Sequence, residues 1–181
     1  MPVIKTPQEI RFIKKACSIT DDIFSEILKE LHGGMYATER ALARAINQKI
    51  KTRGLRHAFP VIVASGAGAA EPHHKPTNEP LAGFTVIDFG VRVNGYCSDM
   101  TRTVYFGVPK TYEKVLYEKL LQSELLGIRL VRDGASCAAS DLAVRKFLGA
   151  YRKYFIHTLG HGVGKRIHER PRVYYRAEKE I

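Results

Sequence analysis

The sequence predicts an α+β domain in which helix pairs alternate with antiparallel strands. Three observations carry that expectation. Apolar residues recur at helical spacing at the start of the chain and again near its middle. β-prone runs follow each helical stretch, and Asn94-Gly95 lies between two such runs as a two-residue hairpin turn. The order helix, helix, strands, then helix, helix, strands suggests a duplicated α+β unit whose second copy stops early, within one domain spanning 1–181.

The elements follow in order. Thr6-Pro7-Gln8-Glu9 is a capping box with proline at the first helical position. Ile10, Ile13, Cys17, Ile23 or Phe24, Ile27 and Leu31 then keep helical spacing until Gly33-Gly34 ends the run. A second helix is expected from Thr38 through Leu42, Ala45, Ile46 and Ile50 to Gly54. An apolar strand is expected over 59–65, then a glycine and alanine loop and Pro72-His73-His74-Lys75-Pro76. The hairpin comes next, closed by Gly107-Val108-Pro109. Two more helices are expected over 112–131 and 140–154, with Asp133-Gly134 as the break between them. A strand over 155–158 would enter Gly160-His161-Gly162-Val163-Gly164, and His168-Glu169-Arg170-Pro171 would lie in one further short strand.

Composition bounds the partners. The 181 residues are long enough for one domain with a substantial core, and 45% hydrophobic with 26% charged residues is the balance of a soluble globular protein. No apolar run approaches the length of a membrane span, and Met1-Pro2-Val3-Ile4-Lys5 does not begin a signal peptide. Cys17, Cys97 and Cys137 are odd in number and lack zinc-like spacing, so they read as reduced thiols of a cytoplasmic protein. The net charge is +11, but the basic residues are spread along the chain, which argues against a nucleic-acid partner.

Chemistry concentrates in the hairpin. If Asn94-Gly95 forms a type I′ turn, Val93 opposes Tyr96, Gly90 opposes Asp99 and Asp88 opposes Thr101. Opposed residues share a face, as do residues two apart along a strand, so Asp88, Gly90, Asp99 and Thr101 point the same way. Gly90 would leave room beside Asp99, and the Thr101 hydroxyl could reach Asp88. Two carboxylates aimed into one space need a proton or a cation between them, and carboxylate-bridged metal pairs are a hydrolytic device. From the hairpin alone, two solvent-facing carboxylates remain an equally good reading.

The histidines favour the site. Five of the seven, His73, His74, His157, His161 and His168, fall in two loops on either side of the hairpin. His157 and His161 are four apart, yet Gly160, Gly162 and Gly164 argue against a continuous helix. Glycines around a histidine instead let the backbone approach a ligand closely.

The motifs Ile87-Asp88-Phe89-Gly90, Asn94-Gly95-Tyr96-Cys97-Ser98-Asp99-Met100-Thr101-Arg102-Thr103 and His157-Thr158-Leu159-Gly160-His161-Gly162-Val163-Gly164 resemble the M24 metallopeptidase family. That family has the pita-bread fold of methionine aminopeptidases, Xaa-Pro aminopeptidases and prolidases. The resemblance runs from about Thr6 to the end of the chain and is greater to the proline-directed branch. It implies a curved antiparallel sheet backed by helices and a metal-dependent exopeptidase acting on a peptide substrate. By the same resemblance Asp88, Asp99 and His161 match metal ligands, with Asp99 bridging two ions. His73 matches a histidine near the substrate amide, His168 one that holds the scissile carbonyl, and His157 a further active-site histidine. Thr101 would support Asp88 from behind. Manganese, cobalt, zinc or iron could serve such a site.

The resemblance also implies two glutamate ligands on later strands, one in a segment like Thr-Ile-Glu-Pro. The sequence ends at Glu178-Lys179-Glu180-Ile181 before either, and neither Glu178 nor Glu180 sits in a matching motif. Thr158 also stands where the family has glycine. The expectation is a catalytic domain lacking its last strands and any separate N-terminal domain, which alone holds one metal weakly or none and turns over poorly. It would be a fragment, a short protein whose open sheet edge is covered by a second copy or a complementing chain, or a metal-free pita-bread module binding peptide, protein or nucleic acid. Methionine aminopeptidase activity is a further alternative. Intact Asp88, Asp99, His73, His161 and His168 favour the enzyme lineage.

Overall fold

The computed structural model describes residues 4–177, so Glu178 and Glu180 lie outside the described residues. The chain forms two compact units. Among the described residues, one comprises Lys5–Pro109 with Val163–Ile167; the other is built from Lys110–Gly162 and residues 168–177.

The first unit opens with α1 (Pro7–His32), whose capping box forms as the sequence predicts. Thr6 N–H donates to Glu9 Oε2 at 2.7 Å, Glu9 N–H donates to Thr6 Oγ1 at 3.3 Å, and Tyr96 donates its hydroxyl to Glu9 Oε1 at 2.6 Å. The Tyr96 hydroxyl first, then the Thr6 backbone and hydroxyl, hold the Glu9 carboxyl down to about 2. Thr38 caps α2 (Glu39–Thr52). Six strands follow: β1 (Arg56–His57), β2 (Ile62–Ser65), β3 (Gly83–Phe89), β4 (Val91–Val93), β5 (Tyr96–Cys97) and β6 (Met100–Phe106). They pair antiparallel as two three-stranded sheets, β1-β4-β5 and β2-β3-β6.

Period selects what goes inside. Ile23 and Ile27 of α1 meet Leu42, Ile46 and Ile50 of α2, and both helices cover Val63, Ile87, Phe89 and Val91 from the strands; all nine are fully buried. Each such side chain contributes about 1.5–3 kcal/mol of apolar transfer. Along β3, Thr85, Ile87 and Phe89 face this core, while Val86 and Asp88 lie half-buried on the other face.

The hairpin keeps one register across both sheets. Asp88 pairs with Thr101 and Phe89 with Met100, and beyond the crossing Arg92 pairs with Cys97 and Val93 with Tyr96. Asn94 and Gly95 have φ of 50° and 86°, the positive values a type I′ turn requires. The role of Gly90 differs from the expectation. A Cβ there would lie 2.0 Å from the Ser98 carbonyl oxygen and 3.2 Å from the Ala58 side chain, so the glycine admits the opposing backbone rather than leaving room beside Asp99. The Ser98 hydroxyl accepts from Val91 N–H at 2.9 Å and pairs with the Thr20 hydroxyl of α1 at 2.6 Å.

The second unit carries α3 (Thr111–Leu130), α4 (Cys137–Leu148), a 3-10 turn at Gly149–Tyr154, and the antiparallel pair β7 (Gly160–Gly162) and β8 (Glu169–Val173). Gly127 of α3 receives Leu159 and Val144, with a Cβ there 3.3 Å from Leu159.

Several boundaries move, each for a local reason. The strand expected over 59–65 begins only at Ile62, because Pro60 lacks an N–H and restricts Phe59; Arg56–His57 pairs separately. The helix expected over 140–154 starts at the Ser136 cap and stops at Gly149, whose φ of 60° leaves the helical region. No strand forms over 155–158, since the Phe155 and His157 carbonyls accept from Arg145 instead of a neighbouring strand. His168 stands just before β8. Among the described residues the strands divide into three short sheets, with α1 and α2 packed on the first unit's strands and α4 on β8.

Gly90→Ala should lower stability by about 3 kcal/mol, since the added methyl must displace backbone rather than a mobile side chain. A urea titration checks this: the midpoint should drop at constant slope. An unchanged midpoint would show that Ser98 yields without cost.

Candidate functional site

Asp88 and Asp99 flank the crossing of the hairpin. The Thr101 hydroxyl donates to Asp88 Oδ1 at 3.0 Å, as the register predicts. Asp99 precedes β6 and is exposed. Burial pushes the Cys17 thiol up, and the nearby charges of Asp21 and Asp99 add to that shift.

His73 sits exposed in the turn Glu71–His74, closed by His74 N–H donating to the Glu71 carbonyl at 3.1 Å. Its neighbour His74 turns inward. His74 Nε2 lies 2.8 Å from Oε2 of Glu39, the first residue of α2, which is 1% exposed. The Glu39 carboxylate also accepts from Thr77 N–H at 2.8 Å, the Thr77 hydroxyl at 2.9 Å and Ser65 N–H at 2.7 Å. Burial alone would push this carboxyl up, but hydrogen bonds from His74, Thr77 and Ser65 outweigh it and hold it below the ordinary value. The Glu39 hydrogen bond raises the His74 imidazole, against desolvation and with help from Glu71.

His157, His161 and His168 lie in the second unit. His161 on β7 and His168 before β8 meet edge to face, ring centroids 4.4 Å apart. His161 Nδ1 is 3.0 Å from the Gly162 carbonyl and His157 Nδ1 is 2.7 Å from the Thr158 carbonyl. A carbonyl only accepts, so each contact assigns the proton to Nδ1 and the lone pair of the neutral ring to Nε2, the arrangement of a metal-ligating or proton-accepting histidine. A Cβ at Gly162 would lie 2.4 Å from the Arg170 carbonyl, so glycine beside His161 lets the two strands close.

Beneath them is a second buried carboxylate. Asp141 of α4, 0% exposed, accepts from Arg145 Nε at 2.6 Å and from the backbone N–H groups of Leu159 and Tyr175, each at 3.1 Å. Arg145 in turn donates to the Phe155 and His157 carbonyls, each at 2.6 Å. The pair ties both ends of the histidine hairpin to one helix.

Asp88 with Thr101, and His161 with His168, are thus brought together within their own units. Carboxylate oxygens such as those of Asp88 and Asp99 are donors that hard divalent cations take, and an imidazole such as that of His161 is one that transition metals take. Among the described residues, however, no group of three His, Cys, Asp or Glu side chains is gathered closely enough to hold a metal ion. These donors alone do not make a cage. Sequence reasoning missed Glu39, His74, Asp141 and Arg145. Asp141 and Arg145 are a visible i, i+4 pair, but only burial separates them from an ordinary surface pair. Glu39 reads as a first-turn acid completing a cap.

The profile of metallopeptidase family M24 matches residues 11–181, and the chain belongs to that family. It is 35% identical over 176 residues to the Xaa-Pro dipeptidase of Pyrococcus furiosus, an alignment covering 94% of this chain and 50% of that protein. Among solved structures it matches a prolidase from Pyrococcus furiosus at TM-score 0.90 and 34% identity, over 99% of this chain and 54% of that one. An X-Pro aminopeptidase from Thermotoga maritima matches at TM-score 0.90 and 31% identity, over 98% and 51%. The fold is the pita-bread fold, and the chain spans about half the length of these relatives.

Two expectations follow. The depressed Glu39 carboxyl contributes stability above the ordinary carboxylate range, near 4.3, and loses it as pH falls through the lowered value. The raised His74 imidazole contributes fully below its ordinary value, near 6.5, and loses that as pH rises through the raised one. Protection of the Thr77 amide, corrected for intrinsic exchange, should therefore peak between about pH 5 and 6.5. Asp141→Ala should cost about 3 kcal/mol, because it removes the carboxylate partner of the half-buried Arg145 guanidinium and leaves two N–H groups without their acceptor. Hydrogen exchange should show the loss in α4, β7 and β8 while α1 and α2 keep their protection.

Proposed function

We propose that this chain carries part of the active site of a divalent-metal-dependent exopeptidase that cleaves beside proline, an Xaa-Pro dipeptidase or aminopeptidase. The observation that supports it most is the in-register carboxylate hairpin, Asp88 held by Thr101, in a chain 35% identical to an Xaa-Pro dipeptidase over 94% of its length. Asp88 and Asp99 are its carboxylate ligands and His161 its nitrogen ligand through Nε2. His73 and His168 face the substrate amide and carbonyl, and His157 is a further active-site histidine.

The chain's own residues prepare these groups. The Thr101 hydroxyl takes one lone pair of Asp88 and so sets the direction of the carboxylate. The Gly162 carbonyl sets the His161 tautomer, and the His168 ring lies against His161 and restricts its rotation. Manganese, cobalt, zinc and iron all accept such donors, and a pair of dications needs acidic ligands beyond Asp88 and Asp99. The rest of a relative-length protein, a second copy or a complementing chain supplies them. Cys17, Cys97 and Cys137 are thiols rather than disulfides, which fits a cytoplasmic protein. No helix among the described residues is long and apolar enough to cross a membrane.

Calorimetry on the 181-residue chain with manganese or cobalt should find at most one weak site, abolished by Asp88→Asn. Two tight sites on a monomer would contradict the reading. Hydrolysis of Xaa-Pro and Met-Ala peptides should be weak with this chain and strong, with Xaa-Pro preferred, once the chain is extended to the length of its relatives. Preference for Met-Ala would indicate a methionine aminopeptidase, and cleavage of neither would leave a binding module.

A further inference from the structure

We propose that Glu39 is the positioning residue of the His73 loop, acting through His74 and Thr77 rather than on substrate itself. This rests on the reading of His73 as the residue that faces the substrate. Adjacent histidines are here assigned opposite tasks: His74 anchors and His73 is presented.

The loop between β2 and β3 is tied along much of its length to the N-terminus of α2. The Glu39 side chain takes four hydrogen bonds there, two from Thr77, one from Ser65 and one from His74. The same end of α2 donates with its backbone: Glu39 N–H to the Glu79 carbonyl at 3.1 Å and Arg40 N–H to the Thr77 carbonyl at 2.9 Å. Leu81 N–H closes the far end on the Ala37 carbonyl at 3.0 Å. Such N–H groups at a helix start have no partner within the helix, so the loop satisfies them and gains order in exchange.

His74 is held on both faces of its position. Gly68, in the 3-10 turn Gly66–Ala70, approaches so near that a Cβ there would lie 2.8 Å from the imidazole Cε1. Glu39 takes Nε2, and Glu71 lies 3.4 Å from Nδ1. The turn Glu71–His74 is therefore anchored at its last residue. His73, one position earlier, is carried on the outside of that turn and takes no part in the anchoring. A carboxylate that is 1% exposed and takes three of its four hydrogen bonds from one loop has a purpose in that loop, since an apolar residue would fill the same core volume without the desolvation cost.

The test uses the 181-residue chain with labelled histidines, followed by NMR. In Glu39→Gln, the His74 titration midpoint should fall toward the ordinary imidazole value, the Thr77 amide should exchange at least tenfold faster, and the His73 ring resonances should move. Exchange in α3 and α4 should stay as in the parent chain. If Glu39→Gln unfolds the first unit, His74→Gln, which leaves Glu39 its Ser65 and Thr77 donors, should still move the His73 resonances. Unchanged His73 resonances together with unchanged Thr77 exchange in a folded variant would overturn the proposal. The dipeptide Ala-Pro added to the unaltered chain tests the other reading separately. A shift at His73 supports its place by the substrate, and none removes that role while the response to Glu39→Gln still decides the positioning.

Discussion

The contact between Gly90 and the Ser98 carbonyl is the constraint on which the carboxylate hairpin depends. At that point the hairpin passes from the β2-β3-β6 sheet to the β1-β4-β5 sheet without losing register, and Asp88 and Asp99 stand on either side of the crossing. Two strands can come this close only where one has no side chain. The polar groups exposed by the break are satisfied locally, because the Ser98 hydroxyl accepts from Val91 N–H and pairs with Thr20. α1 is thereby fastened to the part of the sheet that carries the acids.

Each unit repeats one device around its histidines. A carboxylate on the second helix, Glu39 on α2 and Asp141 on α4, is buried and accepts backbone N–H groups from the loop or hairpin that bears them. A buried charge must be compensated, and each has its own cation or proton donor, His74 for Glu39 and Arg145 for Asp141. The two partner types differ in kind, because imidazoles as a class can give up their proton far more readily than guanidinium groups. The His73 loop is therefore the more pH-sensitive of the two.

Charge also bears on the proposed chemistry. With 29 basic and 18 acidic residues, the chain is rich in cations, and a pair of dications would add to that field. On the proposed reading, Asp88 and Asp99 supply two of the negative charges such a site requires.

Much of this was legible in the residues alone, where local chemistry decides. Thr6-Pro7-Gln8-Glu9, the apolar period of α1 and α2, and Asn94-Gly95 act over a few residues, so they determined the helix starts, the hairpin and its register, and with it the Asp88–Thr101 hydrogen bond. The strand expected over 155–158 failed because Arg145, ten residues before Phe155, captures its carbonyls, and no local propensity reports such a competitor. The purpose of Gly90 and the burial of Glu39 and Asp141 were likewise decided only by tertiary structure. Whether a glycine admits a ligand or a backbone, and whether an acid is solvated or desolvated, depends on atoms far away in the chain, and sequence spacing holds no record of them.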